Sequence, residues 1–248
     1  MRWPGFRRVR RQVCRRIRDR MAELGVPGVE AYREHLATDP EEWGRLAILC
    51  RVTISRFFRD RGVFEFLGGQ VLPGLARGRG TVRAWSAGCA SGEEPYSLVI
   101  LWRQEPQARF PKTRLEVLAT DVDPAVLRRA RQGLYPAGAL RDLEPQEVEK
   151  AFEPVGEEYR LRDELQGTVS FQEQDLRREA PEGAFHLILC RNLAFTYFAE
   201  EEQRRILSVL LQHLEVGGAL VLGSHERIPD GPWPLEPWSA SEPVFRRL

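Results

Sequence analysis

At 248 residues with 42% apolar side chains, the chain is long enough to bury a substantial core. It has no run of about 18 or more apolar residues and no apolar stretch behind its basic start, which argues against a helical membrane span or secretory leader and predicts a cytoplasmic protein. A formal net charge of +1 conceals segregation: the first twenty residues hold nine arginines and one aspartate, a net of +8, so the remainder carries −7. That asymmetry predicts a basic surface facing an acidic partner.

The first predicted element is a helix over residues 7–24, where Val9, Val13, Ile17 and Met21 recur every fourth position before Gly25. Arg8, Arg11, Arg15 and Arg18 follow helical spacing on another face. Further helices are predicted over 29–36, 41–49 and 63–67, closing a helical, Arg-rich module at residues 1–69. Gly74, Gly78 and Gly80 mark a linker over 70–80, and an α/β domain follows over 81–248. Strands are expected at 82–86, 115–120, 185–190 and 219–222, and helices at 94–103, 124–132 and 200–214. This order predicts a mostly parallel, doubly wound sheet. Alternation at 159–162 and 169–172 predicts a short antiparallel insertion, Val244-Phe245 a terminal strand, and 229–243 an ordered loop.

The chemistry is concentrated in the first turn of the α/β domain. A strand ending in Ser86-Ala87-Gly88, a small-residue loop and a helix beginning near Glu93 form a nucleotide-binding arrangement, because glycine lets backbone approach a ligand. The spacing is GxxxG, and Glu93 and Glu94 would repel a diphosphate at the helix N-terminus. S-adenosylmethionine has no phosphate and carries an ammonium and a sulfonium, so these carboxylates favour it over a dinucleotide. After the next strand, Asp121 stands where such folds bind ribose hydroxyls, and Asp123 is placed to cap the helix beginning at Pro124. Cys14, Cys50, Cys89 and Cys190 lack CxxC spacing, and the four histidines form no HExxH pair. The expectation is reduced thiols and no metal site.

Six motifs in order resemble the chemotaxis-receptor methyltransferase (CheR) family over nearly the whole chain. They are Thr53-Ile54-Ser55-Arg56-Phe57-Phe58-Arg59-Asp60, the 86–97 stretch with GEEPYS, 119–123, Cys190-Arg191-Asn192, Tyr197-Phe198, and Gly217-Gly218 followed by Gly223-Ser224-His225-Glu226. The resemblance implies a Rossmann-like S-adenosylmethionine-dependent methyltransferase domain with a small α-helical N-terminal domain and a short antiparallel β insertion. It implies methyl esterification of chemoreceptor glutamates, with S-adenosylhomocysteine as product.

Carried over residue by residue, the family's cofactor set falls on Thr53, Ser55, Arg59, Gly88, Cys89, Glu94, Asp121, Asp175, Leu176, Cys190, Arg191 and Asn192. Thr53 and Ser55 replace the usual Asn and Thr, and Asp175 replaces an Asn beside the adenine, leaving either a carboxylate acceptor or a backbone contact there. Arg59 is expected near the cofactor carboxylate. Arg191 and Tyr197 match the family's active-site pair, although the CRN-to-Tyr spacing is one residue longer than the family's usual CRNxxIYF. The longer loop keeps a different acceptor, or a non-catalytic cofactor-binding role, as alternatives.

Arg8, Arg11, Arg15 and Arg18 are the expected contacts to an acidic receptor helix bundle. Nucleic acid is disfavoured, since the arginine helix lacks interleaved aromatics and the rest of the chain is acidic. Residues 152–169 are shorter than in relatives that grip a receptor tail, so no such tether is expected.

Overall fold

The computed structural model describes residues 9–50, 55–104 and 106–248. The chain divides into two compact units, 1–53 and 54–248. Among the described residues no helix is long and apolar enough to cross a membrane.

The first unit contains α1 (Arg10–Glu23), α2 (Val29–Thr38) and α3 (Pro40–Leu49). Met21, Tyr32 and Leu36 form its small core, with Ile17, Leu24, Val26 and Leu46 packed around them. Asp39 caps α3 by accepting from the Glu41 N–H at 2.9 Å, one residue before the N1 proline. Glu42 is fully buried and accepts from Arg20 Nε at 3.0 Å, Arg20 Nη2 at 2.8 Å and the Tyr32 hydroxyl at 2.8 Å. The Arg20 fork holds the Glu42 carboxyl down to about 2, against an ordinary 4.5.

Because the folded pKa is depressed, the stabilisation is complete above 4.5 and lost as pH falls towards about 2. Glu42→Gln should therefore flatten the acid limb of an unfolding-midpoint titration. An unchanged limb would show that another group controls it.

In the second unit, α4 (Arg61–Phe66) runs through a π-helical turn (Leu67–Val71) into α5 (Leu72–Ala76). This corrects both the 1–69 module and the 70–80 linker. Val71, Leu72, Leu75 and Ala76 are buried in the core of the second unit. Gly68 serves close packing: a Cβ there would lie 2.8 Å from Leu101 Cδ1.

The main sheet has seven strands in the order β6-β2-β1-β7-β8-β10-β9. These are β1 (Thr81–Ala87), β2 (Arg114–Asp121), β6 (Val169–Glu173), β7 (Phe185–Leu189), β8 (Leu214–Val221), β9 (Leu235–Pro237) and β10 (Val244–Arg247). The first five run parallel, and β10 is antiparallel to β8. Alternate residues feed opposite faces: Val82 and Ala84 join one core cluster, while Trp85 joins the other. Helices α6 (Glu93–Gln104) and α8 (Pro124–Gln132) follow β1 and β2, and α12 (Glu200–His213) connects β7 to β8.

The expected antiparallel insertion is half right. β3 (Leu134–Pro136), β4 (Phe152–Val155) and β5 (Glu158–Leu161) form a small antiparallel sheet, but 169–173 pairs parallel with β2 in the main sheet. An edge strand covered on one face alternates just as a hairpin strand does, so the pattern could not separate them. The loop expected at 229–243 contains β9, and β8 begins at Leu214, five residues early. Its glycines accommodate a register shift against β7: a Cβ on Gly218 would lie 2.9 Å from the His186 carbonyl oxygen.

Candidate functional site

From β1 the chain winds outward through β2 to β6, then returns to place β7 on the other side of β1. The carboxyl ends of β1 and β7 thus meet at the switch point where open α/β sheets bind ligands.

At the end of β1, Gly88 has φ +83°, and a Cβ there would collide with Leu193 Cδ2. Only glycine fits that cradle. The Gly88 and Cys89 N–H groups donate to the Thr120 carbonyl at 2.8 and 3.0 Å, and the Ala90 N–H to Asp121 Oδ2 at 2.9 Å. Asp121 Oδ1 also accepts from the Asp123 N–H at 3.0 Å, so this carboxylate braces the turn from the end of β2. Asp123 accepts from the Ala125 N–H and caps α8. Burial pushes the Cys89 and Cys190 thiols well above their ordinary range, which makes them inert packing groups.

Glu93 and Glu94 diverge, since adjacent helical residues point about 100° apart. Glu93 is buried against the small sheet, and burial raises its pKa while a hydrogen bond with Ser55 opposes the rise. Glu94 faces the switch point, where it accepts from Ser86 Oγ at 2.7 Å and Arg191 Nη1 at 3.2 Å. Burial raises the Glu94 carboxyl, with Arg191 the foremost opposing influence. The sequence argument treated the two carboxylates alike; the fold gives only Glu94 to the switch point.

Arg59 belongs to a turn held from both sides. Phe57 and Phe58 are buried, with Phe57 edge-on to Tyr135 at 4.8 Å and to Phe152 at 5.0 Å. The Phe57 N–H donates to the Ala139 carbonyl, and the Phe58 N–H to Ser97 Oγ. These anchors hold Phe58 and Asp60 at φ 49° and 61°, left-handed conformations that cost about 1–3 kcal/mol each for a side-chain-bearing residue. Arg59 is half-buried, and its pKa is lowered by burial and then by Arg191 and Arg56, against Asp60.

Arg191, at the end of β7, is the hub. Its side chain is 1% exposed; it donates to Glu94, to Asp60 Oδ2 at 3.0 Å and to the Arg59 carbonyl at 2.6 Å, and it lies 5.1 Å over the Phe64 ring. Through its two Nη atoms, with the buried Nε left without a hydrogen-bond partner, the guanidinium ties three segments together and acts on a ligand through Glu94 and the 59–60 turn. Tyr197 ends the one-turn helix α11 (Ala194–Tyr197) and is half-buried beside Arg59 and Glu226. Burial raises its phenol, with Arg59 opposing, so at neutral pH it is a hydrogen-bond donor.

Asp175 is occupied by Arg177, which forks onto both carboxylate oxygens at 2.9 and 2.7 Å, holding the carboxyl below its usual range. Leu176 is buried in the same cluster as Ala87 and Cys190. Asn192 follows Arg191 at φ 57°. Arg11, Arg15 and Arg18 are exposed on successive turns of α1, while Arg8 and Thr53 lie outside the described residues. Sequence reasoning missed Asp60, Ser86 and Glu226 as members of this network; all three stood inside recognised motifs but had no partner visible in the sequence.

Comparison with known families agrees with this architecture. The CheR methyltransferase, SAM binding domain, matches residues 53–241, and the CheR methyltransferase, all-alpha domain, matches 9–47. A chemotaxis protein methyltransferase of Listeria innocua is 36% identical over 196 residues, covering 79% of this chain and 73% of that one. One from Vibrio parahaemolyticus is 33% identical over 191 residues, covering 74% and 69%. With both domains matched in order and the cofactor turn, Arg59 and Arg191 gathered at one switch point, the chain belongs to the CheR methyltransferase family and uses S-adenosylmethionine.

Proposed function

We propose that this methyltransferase esterifies glutamate side chains of an acidic, chemoreceptor-like helical protein, giving glutamyl methyl esters and S-adenosylhomocysteine. The observation that carries the reading is the coupling of Arg59 to Tyr197 beside the buried Arg191 and Glu94 pair. A cation able to hold a carboxylate and a phenol able to donate are thereby neighbours, which supports the reading.

The cofactor supplies a methyl group activated on sulfonium. Glu94 faces its cationic end, Arg59 holds its carboxylate, and Asp121 meets its ribose hydroxyls. Leu176 and the Asp175 backbone border the adenine. Ser55, Gly88, Cys89, Cys190 and Asn192 complete the enclosure, with Arg191 holding Glu94 in place. Tyr197 orients the acceptor. A glutamate of ordinary pKa, about 4.3, is already ionised at neutral pH, so the site needs no general base. Its task is alignment and partial desolvation of the nucleophile.

Arg11, Arg15 and Arg18, together with Arg8, supply the basic face for an acidic bundle, and no receptor-tail tether is required. Radiolabelled methyl transfer into receptor-containing membranes should yield label released by base as methanol. Base-stable label would point to a different acceptor. Arg11→Ala combined with Arg15→Ala should weaken turnover of the protein substrate and leave adenosylhomocysteine binding intact. Micromolar binding of a receptor tail peptide in calorimetry would restore the tether.

A further inference from the structure

The loop that delivers Tyr197 is held by one buried carboxylate. Glu226 is 7% exposed and lies in the turn after β8. Its Oε2 accepts from the N–H groups of Asn192 and Gly223, both at 2.7 Å; its Oε1 accepts from the Leu193 N–H at 3.1 Å and Thr196 Oγ1 at 2.6 Å. All four partners are donors here, and each carboxyl oxygen accepts two of them.

This arrangement meets a need the local sequence cannot. A single helical turn fixes several residues for very few hydrogen bonds and does not persist alone. The left-handed Asn192 aims successive N–H groups to one side, a backbone nest suited to an anion. Glu226 fills that nest from another strand end and, through Thr196, fastens the turn that ends in Tyr197. The fit is close: a Cβ on Gly223 would lie 2.8 Å from Glu226 Oε2 and 3.0 Å from the Asn192 nitrogen.

We infer that Glu226 is a positioning residue for methyl transfer: it folds the longer 190–197 loop around its carboxylate and so sets where Tyr197 stands relative to Arg59. The inference rests on the proposed role of Tyr197 at the reacting groups. Gln is the informative replacement, because it keeps the shape but turns an NH2 towards two donors.

For Glu226→Gln, kcat should fall about 100-fold, the cost of roughly 1 Å of misplacement. Adenosylhomocysteine affinity should stay within about threefold and the purified protein should remain folded. Thr196→Val, which removes one contact and keeps the carboxylate, should lose about tenfold in kcat. The Tyr197 phenol supplies a second readout. Difference absorbance against Tyr197→Phe should show it titrating at lower pH in Glu226→Gln, since Glu226 charge and burial both raise it while Arg59 lowers it.

Unchanged kcat with an unmoved phenol titration would overturn the inference. So would parallel losses of affinity, kcat and unfolding midpoint, which mark a merely structural carboxylate. If the wild-type protein esterifies no glutamate, the acceptor reading fails, yet the phenol titration still tests Glu226.

Discussion

Arg191→Met is expected to lower stability by about 3–5 kcal/mol and to abolish cofactor binding, because it leaves Glu94 and Asp60 beside an apolar side chain. The cost arises mainly from the carboxylates left behind. Glu94 is already raised by burial and would lose its foremost opposing influence, so its pKa would rise further and its attraction for a cationic ligand would weaken. The Arg59 carbonyl would lose its guanidinium donor, freeing the turn that carries Phe58 and Asp60 in left-handed conformations. Arg191→Lys should recover only part of the loss, since one ammonium cannot reproduce a planar fork shared among three partners. Denaturant unfolding and calorimetry with adenosylhomocysteine measure the two effects. A Met variant with normal stability would show that the buried network is not the hub described here.

Arg59→Ala separates binding from stability in the opposite manner. Cofactor affinity should fall about 100-fold, the worth of a charge-assisted contact of roughly 2–3 kcal/mol. The unfolding midpoint should hold or rise slightly, because burial and the neighbouring Arg191 and Arg56 disfavour this charge in the free protein. A cation kept where its surroundings oppose it is the pattern expected when binding is favoured over stability. Unaltered adenosylhomocysteine affinity in this variant would remove Arg59 from the cofactor site.

Local elements were readable where one physical requirement dominated. The helix at 124–132 was placed to the residue because a capping aspartate, an N1 proline and a terminal glycine bracket it. Strand β1 was found within one residue at each end as an apolar run ahead of a glycine turn. The domain boundary was misplaced because α4 and α5 are as helical as the segment before them. What assigns them to the second unit is burial of Val71, Leu72 and Leu75 in its core, which helical periodicity does not record.

The sequence by itself determined the cofactor turn, the parallel order of the central strands and Asp121 as a site candidate, because spacing and backbone permissiveness are local properties; Arg59 and Tyr197 became candidates through the resemblance to the family. The tertiary structure decided what those residues face. Arg191 meets Asp60 across 131 positions and Glu94 across 97, and Glu226 reaches the Asn192 N–H across 34. It gave Glu94 to the switch point and buried Glu93, and it placed Glu226 in the nest that shapes the Tyr197 loop. Those partners meet only when the sheet brings its strand ends together, and charge inside a protein takes its meaning from such partners.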